Sequence, residues 1–433
     1  MLIHDATLAD GRVRDVRIAG ETIAEIAPDI EGDGLDADGK LLLPGMIDAH
    51  VHFREPGASH KEDWTTGSRS AAAGGVTTVV DQPNTSPPTT TGEAFDEKAA
   101  LAAPSLVDYG LNGGVTPEWD PDSLLEKPLF ALGEVFLADS TGDMGIDLGL
   151  FSDAVARAAE ADVPVTVHAE DATLFNQGAK DRDDADAWSA FRTPEAEAAA
   201  VERACEAASD TGATVHIAHT STPEGVDIAH DAGLTCEVTP HHLFLSRDDL
   251  PELGTFGRMN PPLRSEERRE EVFERLADGT VDIVATDHAP HTRAEKDASI
   301  WDAPSGVPGV ETALPLLLEE ARQGTLSYER VRDVTAKNPA EIFGLDSKGT
   351  IEEGKDADLV LVDPDAAREI RGEYLHSKCG WTPFEGNLGV FPELTMVRGT
   401  VVYRDTAAGR DAAGSLRARE AEFAEAVGKN VRE

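Results

Sequence analysis

The chain has 433 residues, 40% of them apolar and 28% charged, enough apolar mass for a sizeable core, which excludes wholesale disorder. Its 82 Asp and Glu against 38 Lys and Arg leave a formal charge of −44, a field that repels phosphate backbones and anionic membrane surfaces and argues against a nucleic-acid partner. The acids are spread along the whole chain and Lys is scarce among the bases, the pattern of a protein kept soluble in concentrated salt, so a halophilic source is expected. The cysteines Cys205, Cys236 and Cys379 are odd in number, far apart and without CxxC spacing. A disulfide framework and a Cys-based zinc site are therefore not expected, and a reducing cytoplasm is. Neither a signal peptide nor a membrane span is expected, because no basic stretch precedes an apolar run at the N-terminus and no run of about 18 apolar residues occurs.

The first elements in chain order are short strands broken by turns: Val13–Ile18, Thr22–Ile26 and Lys40–Leu43. The C-terminal part is alike, with Asp358–Val362, Leu394–Arg398 and Thr400–Tyr403. Alternating β-branched residues between Gly, Asp and Pro carry this reading. One small β-rich domain assembled from both termini, residues 1–44 and 346–433, is expected, with a charged surface helix over Ser415–Ala426. Between the termini, apolar strand-like runs lie at Met46–Val51, Val76–Val80, Val107–Leu111, Leu129–Phe136, Val163–Val167, Thr214–Ala218, Leu234–Val238 and Val281–Ala285. Helical patterns fill gaps such as Ser152–Ala161, Pro194–Ser209 and Pro223–Ala232, with Thr193 or Ser221 as starts before Pro. Eight runs alternating with helices predict a (β/α)8 TIM-type barrel over 45–345.

Chemistry-bearing residues fall at the ends of these runs. His50 and His52 are two apart on a predicted strand, so both imidazoles face one side. His168, His219 and Asp287 each follow the C-terminal end of another run, the end where barrel active sites are built. Imidazole nitrogens and carboxylate oxygens in this number suit one or two zinc or other divalent ions. Two close ions need a bridging anion; Glu134, in an otherwise apolar run where an unpaired carboxylate is costly, is the candidate, with Asp139 as the alternative. Arg54, two residues beyond His52, is expected to face the same side with a planar fork suited to a carboxylate. The bland readings are an ion pair of Arg54 with Glu55, and turn-shaping roles for Asn84 and Asn260, both beside Pro. His216 is expected to pack, His241 and His242 to be supporting residues, and His4, His60, His230 and His376 to lie at the surface. The Gly- and Pro-containing stretch Trp301–Gly309 is read as a lid, a pocket wall or a plain loop.

The run Asp48-Ala49-His50-Val51-His52-Phe53-Arg54-Glu55-Pro56-Gly57 resembles the opening signature of dihydroorotases in the cyclic amidohydrolase superfamily. Pro83-Asn84-Thr85, His168-Ala169-Glu170, Met259-Asn260-Pro261-Pro262-Leu263-Arg264 and Thr286-Asp287-His288-Ala289-Pro290-His291 are similar to the family's later motifs. Gly349–Leu359 is similar to the segment returning to the β-domain. The resemblance spans essentially the whole chain. It implies that His50 and His52 hold a first metal, and His168 and His219 a second. Asp287 would be both a ligand and the catalytic proton shuttle. Many relatives bridge the metals with a carboxylated lysine, others with an aspartate; the matching position here is Glu134. Arg54, Asn84, Asn260 and His291 are implied to bind the substrate, dihydroorotate or the open N-carbamoyl-aspartate. The implied function is a cytoplasmic, zinc-dependent dihydroorotase of pyrimidine biosynthesis, and a homo-oligomer is compatible with it. The alternatives are a hydantoinase or allantoinase, whose substrates lack the ring carboxylate, and an inactive structural relative.

Overall fold

The computed structural model describes residues 1–138, 144–406 and 421–433. Near the N-terminus lie β1 (Leu2–Leu8), β2 (Val13–Ala19), β3 (Thr22–Ala27), β4 (Leu35–Asp36) and β5 (Leu41–Pro44). The middle contributes eight strands: β6 (Met46–Val51), β7 (Val76–Asp81), β8 (Asp108–Leu111), β9 (Leu132–Leu137), β10 (Val165–Ala169), β11 (Val215–Ile217), β12 (Thr235–Val238) and β13 (Ile283–Val284). They are the eight predicted runs, with edges shifted by a few residues.

Neighbouring middle strands pair in parallel, β6-β7-β8 in one group and β9 through β13 in the other. Parallel bridges between Gly113 and Leu132 and between Val51 and His288 join the groups and close the barrel. Residues of β6, β7 and β9 are buried throughout. Helices cover the outside of a parallel barrel while side chains fill the inside, so such strands read as unbroken apolar runs. Helices at Leu148–Glu160, Pro194–Thr211 and Pro223–Asp231 match the expected ones. The last is capped by Thr222, whose hydroxyl accepts from Gly225 N at 3.1 Å. Ser221 is not its start; its backbone and hydroxyl turn to the buried Glu197 carboxylate instead.

The termini form one sheet with β14 (Leu359–Val362), β17 (Pro392–Val397), β18 (Thr400–Asp405) and β19 (Ala421–Phe423), while β15 (Arg368–Glu369) and β16 (Leu388–Gly389) make a separate ribbon. Its order is β19-β18-β17-β14-β5-β1-β2-β3, with β4 on β1, so chain ends distant in sequence share a ladder where β14 pairs β5. The sheet folds back on itself: Ile23 N donates to Lys355 O and Ala357 N to Glu21 O, and the two remote turns touch where a Cβ on Gly399 would collide with Gly20 O. The layers enclose a core of their own, including Ile3, Val16, Ile18, Leu359 and Met396. The fold class is the expected one, a TIM-type barrel beside a small β-sandwich. The expected helix over Ser415–Ala426 is corrected where it is described: Ala421–Phe423 is an edge strand on β18. Residues 415–420 lie outside the described residues. The end of the chain then leaves the sheet for the barrel, with Tyr109 N donating to Lys429 O and Val431 N to Tyr109 O, both 2.9 Å.

His376 belongs to the contact between sheet-side and barrel segments and is not the expected surface residue. Its Nδ1 lies 2.9 Å from Glu311 Oε1, while Glu311 Oε2 accepts from His376 N and from Ser70 Oγ. Burial opposes a charge on His376, but Glu311 outweighs it and raises the pKa above the ordinary value. The folded state thus holds this proton more tightly than the unfolded chain. The stabilisation is complete below about pH 6.5 and fades as pH rises through the elevated folded value. Urea midpoints measured from pH 6 to 9 are expected to fall by more in wild type than in His376→Gln, with a pair worth about 1–3 kcal/mol; parallel curves would show that it contributes nothing.

Candidate metal centre and cleft

The six expected ligands converge at the C-terminal end of the barrel. His50 lies in β6 and His52 just past it, Glu134 in β9, His168 in β10, and His219 and Asp287 just beyond β11 and β13. Glu134 is central: its Oε1 is 2.5 Å from His219 Nε2 and 3.0 Å from His168 Nδ1, and its Oε2 is 3.4 Å from His50 Nε2. Asp287 Oδ1 is 3.0 Å from His52 Nε2 and 3.7 Å from His50 Nε2. Two sets, His50–Glu134–His219 and His50–His52–Asp287, gather ligand atoms within 4.8 Å of one another. Gly133 fixes where Glu134 points. It has φ of +151°, and a Cβ there would run into the Thr166 side chain. Asp139, the alternative bridge, lies outside the described residues.

Hydrogen bonds decide which ring nitrogens are free. Glu237 Oε1 is 2.7 Å from His50 Nδ1, and a carboxylate only accepts, so Nδ1 carries the proton and Nε2 the lone pair. Among the described residues that buried Nε2 has no hydrogen-bond partner, and it faces the carboxylates of Glu134 and Asp287. His52 Nδ1 lies 2.7 Å from Asn84 Oδ1 and its Nε2 3.0 Å from Asp287 Oδ1, so an ion held at Nε2 requires the tautomer whose Nδ1–H donates to Asn84. Glu170 Oε2 lies 3.1 Å from His168 Nε2, leaving Nδ1 toward Glu134, and Arg192 pairs with Glu170. Lone pairs and anionic oxygens aimed at a common space repel unless a cation lies between them, so this donor set fits a divalent ion. Burial opposes ionisation of Glu134, but His219, His50 and His168 hold its pKa well below the usual value. Glu237 and Glu134 likewise raise the His50 pKa against burial, so these carboxylates favour a cation at Nε2, whether a proton or a metal ion.

Three site residues sit in left-handed backbone, a conformation that side chains make costly: Arg54 at φ +65°, His219 at +34° and Asp287 at +45°. Arg54 is therefore not placed by strand alternation, as expected, because β6 ends at Val51. It turns into the cleft through a kinked backbone. Its Nε donates to Pro290 O at 3.2 Å; its fork makes no pair with Glu55, whose Oε2 accepts from Trp64 N. The cleft is lined by His52, Arg54, Asn84, Glu134, Phe136, His168, His219, Asn260, Asp287, Ala289, Ser305 and Gly306. His291, expected as a further donor to the substrate, instead sits behind Arg54. Lys61 donates to its Nδ1, so its Nε2–H donates to Ser305 O at 2.9 Å, and Arg54 Nη2 lies 3.2 Å away. Burial and the charges of Arg54, Lys61 and Lys296 keep this ring neutral.

The stretch after His291 is a pinned wall. The ammonium of Lys296, a buried residue, donates to the carbonyls of Arg258, Pro304 and Gly306 at 2.9–3.1 Å. His216 packs as expected, yet within a buried chain: its Nε2 is 3.2 Å from Glu237 Oε2. His241 and His242 are buried just past β12, and burial pushes His241 down to about 4. His60 and His230 are exposed, and His4 is half-buried against Asp15. Sequence reasoning missed Glu237, though the cost argument that singled out Glu134 applies equally to a carboxylate inside the apolar β12.

The amidohydrolase family model matches residues 41–402. Among curated proteins, the dihydroorotase of Halobacterium salinarum is 72% identical over 405 residues, covering 93% of this chain and 96% of its own. That source is in keeping with the acid-rich, Lys-poor composition. The dihydroorotase of Methanosarcina acetivorans is 46% identical, covering 86% and 83%. Among solved structures, the L-hydantoinase (dihydropyrimidinase) of Arthrobacter aurescens has a TM-score of 0.88 at 30% identity, covering 93% and 95%. A D-hydantoinase (dihydropyrimidinase) from Thermus sp. also reaches 0.88, at 27% identity, covering 100% and 98%. With the family match spanning most of its length and a near end-to-end alignment to dihydroorotases, the chain belongs to the amidohydrolase family, in its dihydroorotase branch.

Proposed function

We propose that this cleft carries out the reversible hydrolysis of L-dihydroorotate to N-carbamoyl-L-aspartate with one or two zinc ions. The observation that carries this is the gathering of Arg54, Asn84 and Asn260 on the same cleft as the imidazole–carboxylate cluster, in a chain 72% identical to a dihydroorotase. His50, His52 and Asp287 would hold one ion and His168 and His219 the other, with Glu134 between them; His and carboxylate donors favour zinc. When bound, the metal supplies Lewis acidity to an amide carbonyl and lowers the pKa of water towards about 7. Asp287 accepts the proton released as a water oxygen adds to the ring carbonyl carbon. It returns that proton to the ring nitrogen as the C–N bond breaks, and cyclisation runs the same steps backwards. Arg54 and the two asparagines hold the ring carboxylate. Residues 45–345 would form the hydrolase domain, with 1–44 and 346–433 as the accessory β-domain. Assembly into a homo-oligomer belongs to the same reading. The free thiols of Cys205, Cys236 and Cys379 support a reducing cytoplasm.

A turnover panel of dihydroorotate, hydantoin and allantoin tests the assignment. Dihydroorotate alone should react at enzymic rates. Turnover of hydantoin without dihydroorotate would favour the specificity named for the structural neighbours, and absence of both metal and turnover an inactive relative. Arg54→Ala should raise KM for dihydroorotate about 10- to 100-fold, the worth of a charge-assisted pair, with a smaller change in kcat. An unchanged KM would remove Arg54 from carboxylate binding.

A further inference from the structure

Trp188 lies in the short helix Ala187–Phe191, within the insertion that follows β10, and no step above uses it. Its indole N–H is 3.0 Å from Asn260 Oδ1 and 3.1 Å from Met259 O. An indole nitrogen only donates, so the Asn260 atom it meets is the carbonyl oxygen, and the orientation of that amide is fixed. Asn260 Nδ2 is left without a protein acceptor among the described residues, on a side chain that lines the cleft. Trp188 is itself held. The Arg258 guanidinium stacks 3.8 Å from its ring centre, and Arg258 Nε donates to the Ser305 hydroxyl at 3.2 Å. Phe191 and Trp301 close on the ring at 5.7 Å each.

We propose that Trp188 is a positioning residue for substrate selection: it pins the Asn260 amide with its oxygen turned away and its NH2 presented to the cleft, as a donor for the ring carboxylate. The proposal rests on the reading that Asn260 meets the substrate. A freely turning amide would present its oxygen part of the time, and that oxygen would repel a carboxylate. The indole N–H therefore makes the difference between a site that takes a ring acid and one indifferent to it.

The test is steady-state kinetics on the metal-loaded protein. Trp188→Phe keeps the ring and removes the N–H; KM for dihydroorotate should rise about tenfold, with kcat within about twofold. In an Asn260→Ala background the same change should add less than about twofold, because Trp188 acts through that amide. A general loosening of the helix would instead multiply into both backgrounds and lower kcat. Should Trp188→Phe fail to fold, Trp188→Leu carries the same test, since it too removes the N–H that Asn260 Oδ1 accepts. An unchanged KM in the Trp188 variant, or equal effects in both backgrounds, would overturn the proposal. Wild-type protein that does not turn over dihydroorotate would instead overturn the functional reading beneath it.

Discussion

Asp287→Asn is expected to lower kcat by about 10³-fold in both directions while leaving the melting temperature and the circular dichroism spectrum close to wild type. The size follows from the proton it handles: a positioned acid–base group contributes about 10² to 10⁴, and among the described residues no other group is placed to replace this one. Glu134, the other carboxylate among the described residues lining the cleft, has one oxygen committed to His219 and His168 and the other beside His50. Glu170 and Glu237 are turned away, onto Arg192 and His216. Burial opposes the charge on Asp287, but His52 and His50 hold its pKa below the ordinary carboxylate range, so a basic oxygen is available at neutral pH. Asparagine keeps the shape and loses the basicity. Metal content measured on the same sample separates the proton role from a ligand role: a variant that retains its metal but not its turnover isolates the proton transfer. Turnover within tenfold of wild type would remove Asp287 from the chemistry.

The barrel was legible because its strands are buried on both faces and leave unbroken apolar runs, and because catalytic residues of barrels collect just past the strand ends. Reading stopped where tertiary contacts decide. β1 was missed because its pattern is broken in the middle: Asp5 takes φ of +50° and the pairing with β2 shifts register between Ile3 and Ala6. Arg54 lines the cleft through a left-handed backbone that strand alternation does not describe. Glu237 serves a histidine 187 residues away, a pairing that no local window contains. Trp188 sits in a five-residue helix, and its meaning comes only from the Met259-Asn260 carbonyls it meets. His291 carries the expected residue type at the expected strand end, yet the direction of its ring, set by Lys61 and the Ser305 carbonyl, places it behind the guanidinium.

The same hydrogen bonds rank the ligands by what their loss should cost. Glu134→Gln keeps volume and hydrogen-bonding capacity but removes the carboxylate that His50, His168 and His219 share. Three imidazoles then share a neutral amide, and two cations there would repel with no carboxylate between them. Divalent metal per chain, measured by mass spectrometry after dialysis, should fall, and activity should drop by at least about 100-fold. Glu237→Gln acts one step out: it leaves every ligand in place and frees only the His50 tautomer, for which a loss of about 10- to 100-fold in metal affinity is the ordinary scale. Chelation should lower the melting temperature of wild type by more than that of Glu134→Gln, since an ion that no longer binds the folded state cannot stabilise it. The ordering matters more than either value. If Glu134→Gln kept full metal content and activity while Glu237→Gln lost both, the bridge would have to be sought elsewhere, and Glu134 would be a buried partner of His219 and His168 alone.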